Sequence, residues 1–226
     1  EGAEAWLIGH EGEGILRMFQ MMNEARIGVG IQGLSVAAGA YRNALTYAKE
    51  RVQGTGFKDF KDAAAARVSI DRHPDVRRML LYCRSVTDGM RALGGNVAWL
   101  AQQVELLGAD STQGGTYHDL LEVLTPIHKS WCTDECFEVA RLAVQVFGGY
   151  GYIGEYPVEQ AVRDSKIFSI YEGTNGIQAL DLVGRKMAMK GGAAFMTAMN
   201  WLNTKIAALE EEGSFSTEAA GLAKGR

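Results

Sequence analysis

The chain has 226 residues, with 23 basic and 27 acidic side chains, a formal net charge of −4 and only three prolines. That balance supplies no basic face for phosphates and argues against a nucleic-acid partner, and no apolar run approaches the ~18 residues of a membrane span. The length suits one domain or a little more with a core that needs no staples, and the wealth of Ala, Leu, Met, Glu and Gln favours helix.

Residues 1–14 hold a short apolar run, Ala5 to Ile8, followed by Gly, His and Gly. This reads as a strand end and a turn, and a lone strand has nothing to pair with. It is therefore expected to be the remnant of a sheet that lies outside this chain. The first residue is Glu and no signal-peptide pattern opens the sequence, so a processed or truncated chain is expected.

From residue 15 to 51 apolar residues recur at threes and fours (Ile27, Ile31, Leu34, Ala38, Tyr41, Leu45, Ala48), which predicts a long helix with a break near Asn23. Gly28, Gly30, Gly33 and Gly39 each cost such a helix roughly 1 kcal/mol, and the close approach of a neighbouring helix or ligand is the expected return. GVGIQG at 28–33 mimics a dinucleotide fingerprint, but no strand precedes it and the helical period runs through it. Residues 50–74 read as a connection, with Gly54 and Gly56 stopping the helix. A second helix starts near Pro74, capped by Asp71 or His73, and continues to about Gly108 with a period near 3.5. After a loop at 108–115, helix is expected over 117–147, restarted at Pro126. A further helix follows from Asn175 to Lys190, broken at Gly191-Gly192, and then a weaker one over 193–209 and a polar, mobile tail over 210–226. No stretch alternates with period two for long. The fold class is all-α: a four-helix up-and-down bundle with shorter accessory helices, preceded by a residual β-strand.

Cys83, Cys132 and Cys136 make an odd count, which suggests reduced thiols and a cytoplasmic setting. Cys132 and Cys136 share a helical face, but His128 is their sole candidate companion at helical spacing. Buried or half-buried thiols are expected rather than a metal site. His10, His73, His118 and His128 show no triad pattern and read as surface or capping residues.

The chemistry concentrates in residues 145–178, QVFGGYGYIGEYPVEQAVRDSKIFSIYEGTNGIQ. Two glycine turns, GGYG at 148–151 and GTNG at 173–176, flank an amphipathic segment that opens at Pro157 and carries Val158, Val162, Ile167 and Ile170 on its apolar side. Glu172 stands between an aromatic residue and a glycine. Against an apolar wall its charged form would be disfavoured, as suits a base working near neutral pH, and it equally reads as an acid at the N-terminus of the helix that follows. Gln145 with Gly148 and Gly149 reads either as an anion-binding backbone or as a helix C-cap. Arg26 and Arg51 either hold a phosphate or carboxylate or are solvated helix-face residues.

The stretch at 145–178 strongly resembles the C-terminal signature of the acyl-CoA dehydrogenase family. MMNEARIGVGIQGLSVAAGAYRNALTYAKERVQG, which begins at Met21, resembles the helix that opens the same domain. YEGTNGIQALDLVGRK and HPDVRRMLLYCRSVTDGMRAL are most similar to the larger branch of that family, which includes enzymes similar to 3-methylmercaptopropionyl-CoA dehydrogenase and carries an additional C-terminal domain.

The resemblance implies that residues 1–14 end a β-domain, that 15–190 form the C-terminal helical bundle, and that 191–226 lead toward a further domain. It implies that Glu172 is the base that removes the α-proton of an acyl-CoA thioester while FAD accepts the β-hydride, the Glu172 N–H and a flavin hydroxyl holding the thioester oxygen. Asn23, Glu24, Arg26 and Gly173 would contact substrate. Thr174, Asn175 and Gly176 would touch FAD, and Arg51, Gln145, Gly148 and Gly149 would hold its pyrophosphate and adenosine end from a neighbouring subunit. The implied partners are acyl-CoA, an electron-transfer flavoprotein as electron acceptor, and further copies in a homodimer or homotetramer. Val52-Gln53-Gly54 replaces the family's usual Phe-Gly after Arg51. Ala25 stands where some relatives place the base, with Glu24 one residue off, which favours Glu172. A chain of this fold that serves as an assembly or regulatory module without dehydrogenation is the alternative.

Overall fold

The computed structural model describes residues 2–213, 217, 218, 220 and 221. It is an all-α chain with four long helices: α1 (Gly14–Glu50), α2 (Pro74–Leu107), α3 (Thr112–Phe147) and α6 (Ala193–Glu212). Two short helices, α4 (Val158–Ser165) and α5 (Asn175–Asp181), lie between α3 and α6. The described residues divide into two compact units, one holding residues up to 96 and 128–178, the other 97–127 and those from 179 onward.

In the first unit the core forms where small residues let helices approach. Ala37, Ala40, Ala44 and Ala48 make a stripe at threes and fours along α1, and all four are buried in one cluster with Met79, Cys83 and Met90 of α2, Cys132, Cys136, Val139 and Ala143 of α3, and Val158 of α4. Two of the α1 glycines have the expected return. A Cβ on Gly30 would lie 2.2 Å from His128 Nε2, and one on Gly33 2.8 Å from the Cys132 carbonyl, whereas Gly28 and Gly39 face open space. In the second unit Val97 and Leu100 of α2, Leu120 and Val123 of α3, and Ala194 and Ile206 of α6 are buried, and Trp99 packs edge-on against Tyr117.

Several sequence expectations are corrected. Residues 2–13 form no strand, because no strand among the described residues pairs with them: the two that occur, Val52–Thr55 and Arg67–Ser69, pair with each other. α1 passes Asn23 unbroken. The connection after α1 carries a two-stranded antiparallel hairpin, β1 (Val52–Thr55) with β2 (Arg67–Ser69). His73 (φ −75°, ψ 135°) does stand at the N-cap of α2, its carbonyl accepting the Arg77 N–H at 3.0 Å, but its ring donates to the Gln53 carbonyl at 2.7 Å and Asp71 accepts from Ser69 Oγ at 2.5 Å, so both side chains pin the hairpin instead of capping. The loop before α3 ends at Ser111, and α3 continues through the buried Pro126, whose lost N–H bond is offset by packing. After α5 the helix continues as a π-helix over Leu182–Lys186 and then gives way to a 3-10 turn over Met189–Gly192, so the expected helix to residue 190 is helical to 186 but not α-helical throughout. The chain breaks where glycine predicted, with Lys190, Gly191 and Gly192 all at positive φ. Lys186 pairs with Glu122, and Lys190 Nζ sits 2.7 Å from Asp119, fixing these turns to α3. Residues 210–212 belong to α6, and part of the expected tail lies outside the described residues. On the amphipathic segment Val158 is buried, but Ile167 and Ile170 are about half exposed.

The cysteines are free and fully buried. Burial pushes the Cys132 and Cys136 thiols up to about 12 and Cys83 up to about 11. Because the thiolate is the reactive form, iodoacetamide at pH about 8 should leave all three unmodified in the native protein and modify all three after denaturation. Mass spectrometry of the digested protein reads this directly, and native labelling at Cys132 would contradict the packing.

Candidate active site

The turn carrying Glu172 is built by its neighbours in sequence. A 3-10 turn over Lys166–Ser169 closes with the Ile170 and Tyr171 N–H groups donating to the Ile167 carbonyl at 2.9 and 3.0 Å. Glu172 (φ +54°) and Gly173 (φ +86°) then adopt consecutive left-handed conformations. That geometry costs a glutamate on the order of 1–3 kcal/mol, and such strain clusters at functional sites. Gly173 must be glycine, since a Cβ there would also lie 2.6 Å from Gln178 Nε2. Thr174 Oγ1 accepts the Ile177 N–H at 3.2 Å and so caps α5.

The surroundings hold this turn from several sides. Buried Gln178 donates toward the carbonyls of Glu172 (3.5 Å) and Gly173 (3.3 Å). The Asn175 amide donates to the Ser130 carbonyl (3.2 Å), Thr133 Oγ1 (2.9 Å) and Asp134 Oδ1 (2.8 Å), all on α3. Tyr171 donates its hydroxyl to Gln32 of α1. Lys129 of α3 is fully buried, and its Nζ donates to the Gly173 carbonyl at 2.8 Å and to Asn175 Oδ1 at 2.9 Å. Burial pulls this amine down to about 8; Asp134 pulls it up, Arg26 pushes it down further and Glu172 pulls it up.

Of the residues expected to meet substrate, Arg26 is buried, with Nη1 3.3 Å from Asn23 Oδ1 and Nη2 only 3.7 Å from where a Gly173 Cβ would stand. Asn23 is half-buried and Glu24 is exposed. α1, α3 and the turn thus bring Arg26, Lys129, Glu172, Gly173 and Asn175 together, with the Glu172 side chain half-buried.

Arg51, Gly148 and Gly149 assemble elsewhere. They line a separate cleft of about 660 Å³ with Tyr47, Gln53 and Tyr150. The Arg51 guanidinium lies 5.5 Å from the centre of the Tyr150 ring, and Tyr47 stacks on Phe147 at 4.1 Å. Gly148 (φ +62°) follows the last residue of α3, and a Cβ on either glycine would meet nothing within 4 Å. Gln145 does not line this cleft. It faces two other depressions, beside Arg141 in both and beside Arg163 in one.

Two groups escaped the sequence reading. His128 is a core residue rather than a surface one. Burial lowers its pKa, Nε2–H points to the Ile27 carbonyl at 3.3 Å, and Nδ1 is left to accept from the Cys132 thiol at 3.4 Å. Lys129 went unnoticed although its position shares a face with Cys132, Cys136 and Ala140, a lysine in phase with the core.

Residues 12–188 match the family model described as acyl-CoA dehydrogenase, C-terminal domain. The chain belongs to this family. It is 42% identical over 85% of its length to the 3-methylmercaptopropionyl-CoA dehydrogenase of Ruegeria pomeroyi, covering 32% of that protein. It is 36% identical over 98% of its length to the broad-specificity linear acyl-CoA dehydrogenase FadE5 of Mycobacterium tuberculosis, covering 36% of it. Among solved structures, butyryl-CoA dehydrogenase from Megasphaera elsdenii is similar with a TM-score of 0.62 and 31% identity, over 78% of this chain and 39% of that one. The chain therefore spans about a third of the length of these two curated relatives. No helix among the described residues is long and apolar enough to cross a membrane.

Proposed function

We propose that this chain is the C-terminal helical bundle, over residues 15–190, of an FAD-dependent acyl-CoA dehydrogenase, with Glu172 as the base that removes the α-proton of an acyl-CoA thioester. The observation that carries this reading is the left-handed turn at Glu172, held by Lys129, Asn175 and Gln178 beside Arg26. It presents a half-buried carboxylate on a backbone the bundle has fixed in advance.

The α-proton is too weakly acidic for a carboxylate in water, so charge developing on the thioester oxygen must meet fixed donors. The Glu172 N–H has no acceptor among the described residues and supplies one of them. Glu172 then serves twice, its carboxylate taking the proton and its N–H steadying the oxygen. Arg26, with Asn23, flanks the substrate side of Gly173, and Glu24 lies on the exposed rim.

Bound FAD supplies the acceptor for the hydride leaving the β-carbon. The residues present fit its anionic end: the cleft offers the Arg51 guanidinium, the open backbone of Gly148 and Gly149 and a wall of aromatic rings, with no carboxylate among its described lining residues. Thr174, Asn175 and Gly176 border the base, although the Asn175 side chain is committed to α3. In this reading the bundle also joins copies into a homodimer or homotetramer. Electrons pass to an electron-transfer flavoprotein, and residues 191–226 lead toward a further domain. The three free thiols suit a cytoplasmic setting.

The test is anaerobic mixing of the full-length protein with acyl-CoAs of different chain length. The flavin band near about 450 nm should bleach within a turnover. A flavin that stays oxidised with every thioester would replace this reading with an assembly module.

A further inference from the structure

We propose that Lys129 is the positioning residue of this site, setting where the Glu172 carboxylate stands by holding the Gly173 carbonyl from inside the bundle. The inference rests on Glu172 being the base. Two consecutive left-handed residues, one of them a glutamate, persist only where the surroundings over-determine them. Gln178 reaches the turn from α5, the helix the turn itself begins, so it moves with the turn. Lys129 reaches it from α3 and bridges two of its groups at once, the Gly173 carbonyl at 2.8 Å and Asn175 Oδ1 at 2.9 Å. The carbonyl it grips belongs to the residue after Glu172, so a change in that bond reaches the glutamate through the φ and ψ of Gly173.

The choice of residue supports the role. A fully buried amine is costly, and among the described residues its Nζ bonds go to the Gly173 carbonyl and Asn175 Oδ1, neither of them a carboxylate. Its hydrogen bonds go to carbonyl oxygens alone, where a charged donor binds roughly twice as strongly as a neutral one. The groups facing it are Arg26 from α1, Asp134 from α3 and Glu172 from the turn.

The experiment uses the full-length, flavin-loaded enzyme and compares Lys129→Met with the parent. Steady-state kinetics with acyl-CoA should show kcat lowered about 100-fold, as expected for a reacting group misplaced by about 1 Å, with KM within about threefold and flavin content unchanged. The deuterium isotope effect with α-deuterated acyl-CoA should rise, because proton removal becomes the slower step. A merely structural lysine would lower the melting temperature and leave the isotope effect alone. A folded Lys129→Met with kcat within about threefold of the parent, or with an unchanged isotope effect, overturns the proposal. Should Lys129→Met not fold, the parent's pH profile decides: kcat should fall along a one-proton limb between about pH 7 and about pH 10, as Lys129 loses its charge, and a flat profile overturns it. Glu172→Gln separates the two readings. If that variant turns over, the base assignment fails; if it is inactive while Lys129→Met keeps parental kcat and isotope effect, the positioning role alone fails.

Discussion

Replacing Glu172 by Gln in the full-length protein should lower turnover by about 10²–10⁴-fold, the range a positioned general base contributes, and leave bound flavin unchanged. The amide has nearly the volume of the carboxylate and inherits its backbone, so the φ of +54° and the bonds from Lys129 and Gln178 to the turn are retained. In the proposed mechanism the N–H for the thioester oxygen is retained too, and the proton acceptor alone is gone. The Arg51 cleft does not include Glu172, so flavin content should not change. Glu172→Gly makes a sharper companion. Glycine accepts a left-handed conformation without the steric cost, though it gives back conformational entropy on folding, so stability should stay within about 1 kcal/mol of the parent while activity is lost. Turnover with acyl-CoA, the flavin-to-protein ratio and a melting curve read all three. Glu172→Gln with turnover within about tenfold of the parent would remove Glu172 from the chemistry.

What was legible beforehand follows from how far each signal travels along the chain. α1 and α2 are readable because their buried residues recur every three to four positions, and the turn at 172–173 because its glycine is adjacent in sequence. The hairpin of β1 and β2 was not, since strands of four and three residues are too short to alternate and one contains Gly54. Lys129 and His128 escaped for a different reason. Each is buried by a partner distant in sequence: Lys129 by a carbonyl 44 residues later, His128 by notches at Gly30 and Gly94 on two other helices. A one-dimensional pattern shows such residues only as polar interruptions of an apolar face. The resemblance groups Arg51 with Gln145, and the fold separates them: Arg51, just past the end of α1, lines the cleft with Gly148 and Gly149, whereas Gln145 of α3 lines depressions beside Arg141.

The notch at Gly30 yields the largest expected stability effect. Gly30→Ala should destabilise the protein by about 1–3 kcal/mol, whereas Gly28→Ala, two residues away on α1, should be neutral or stabilising by up to about 1 kcal/mol. A Cβ at Gly30 would lie 2.2, 2.5 and 2.8 Å from three atoms of the His128 ring, while one at Gly28 meets nothing within 4 Å. The ring cannot simply swing aside, because it is fully buried, its Nε2 holds the Ile27 carbonyl, and a Cβ on Gly94 of α2 would also be within 3.4 Å of it. The relief available is for α3 to move away from α1. α3 carries Lys129, the residue after His128, and α1 carries Arg26, so the same movement loosens the grip on the Glu172 turn. Gly30→Ala should therefore lower kcat as well as the melting temperature. Adding His128→Ala should recover part of both, so that the paired variant is less damaged than the two single losses together predict. Equal melting temperatures for Gly30→Ala and Gly28→Ala would mean that the close approach of α1 and α3 at His128 has no energetic weight.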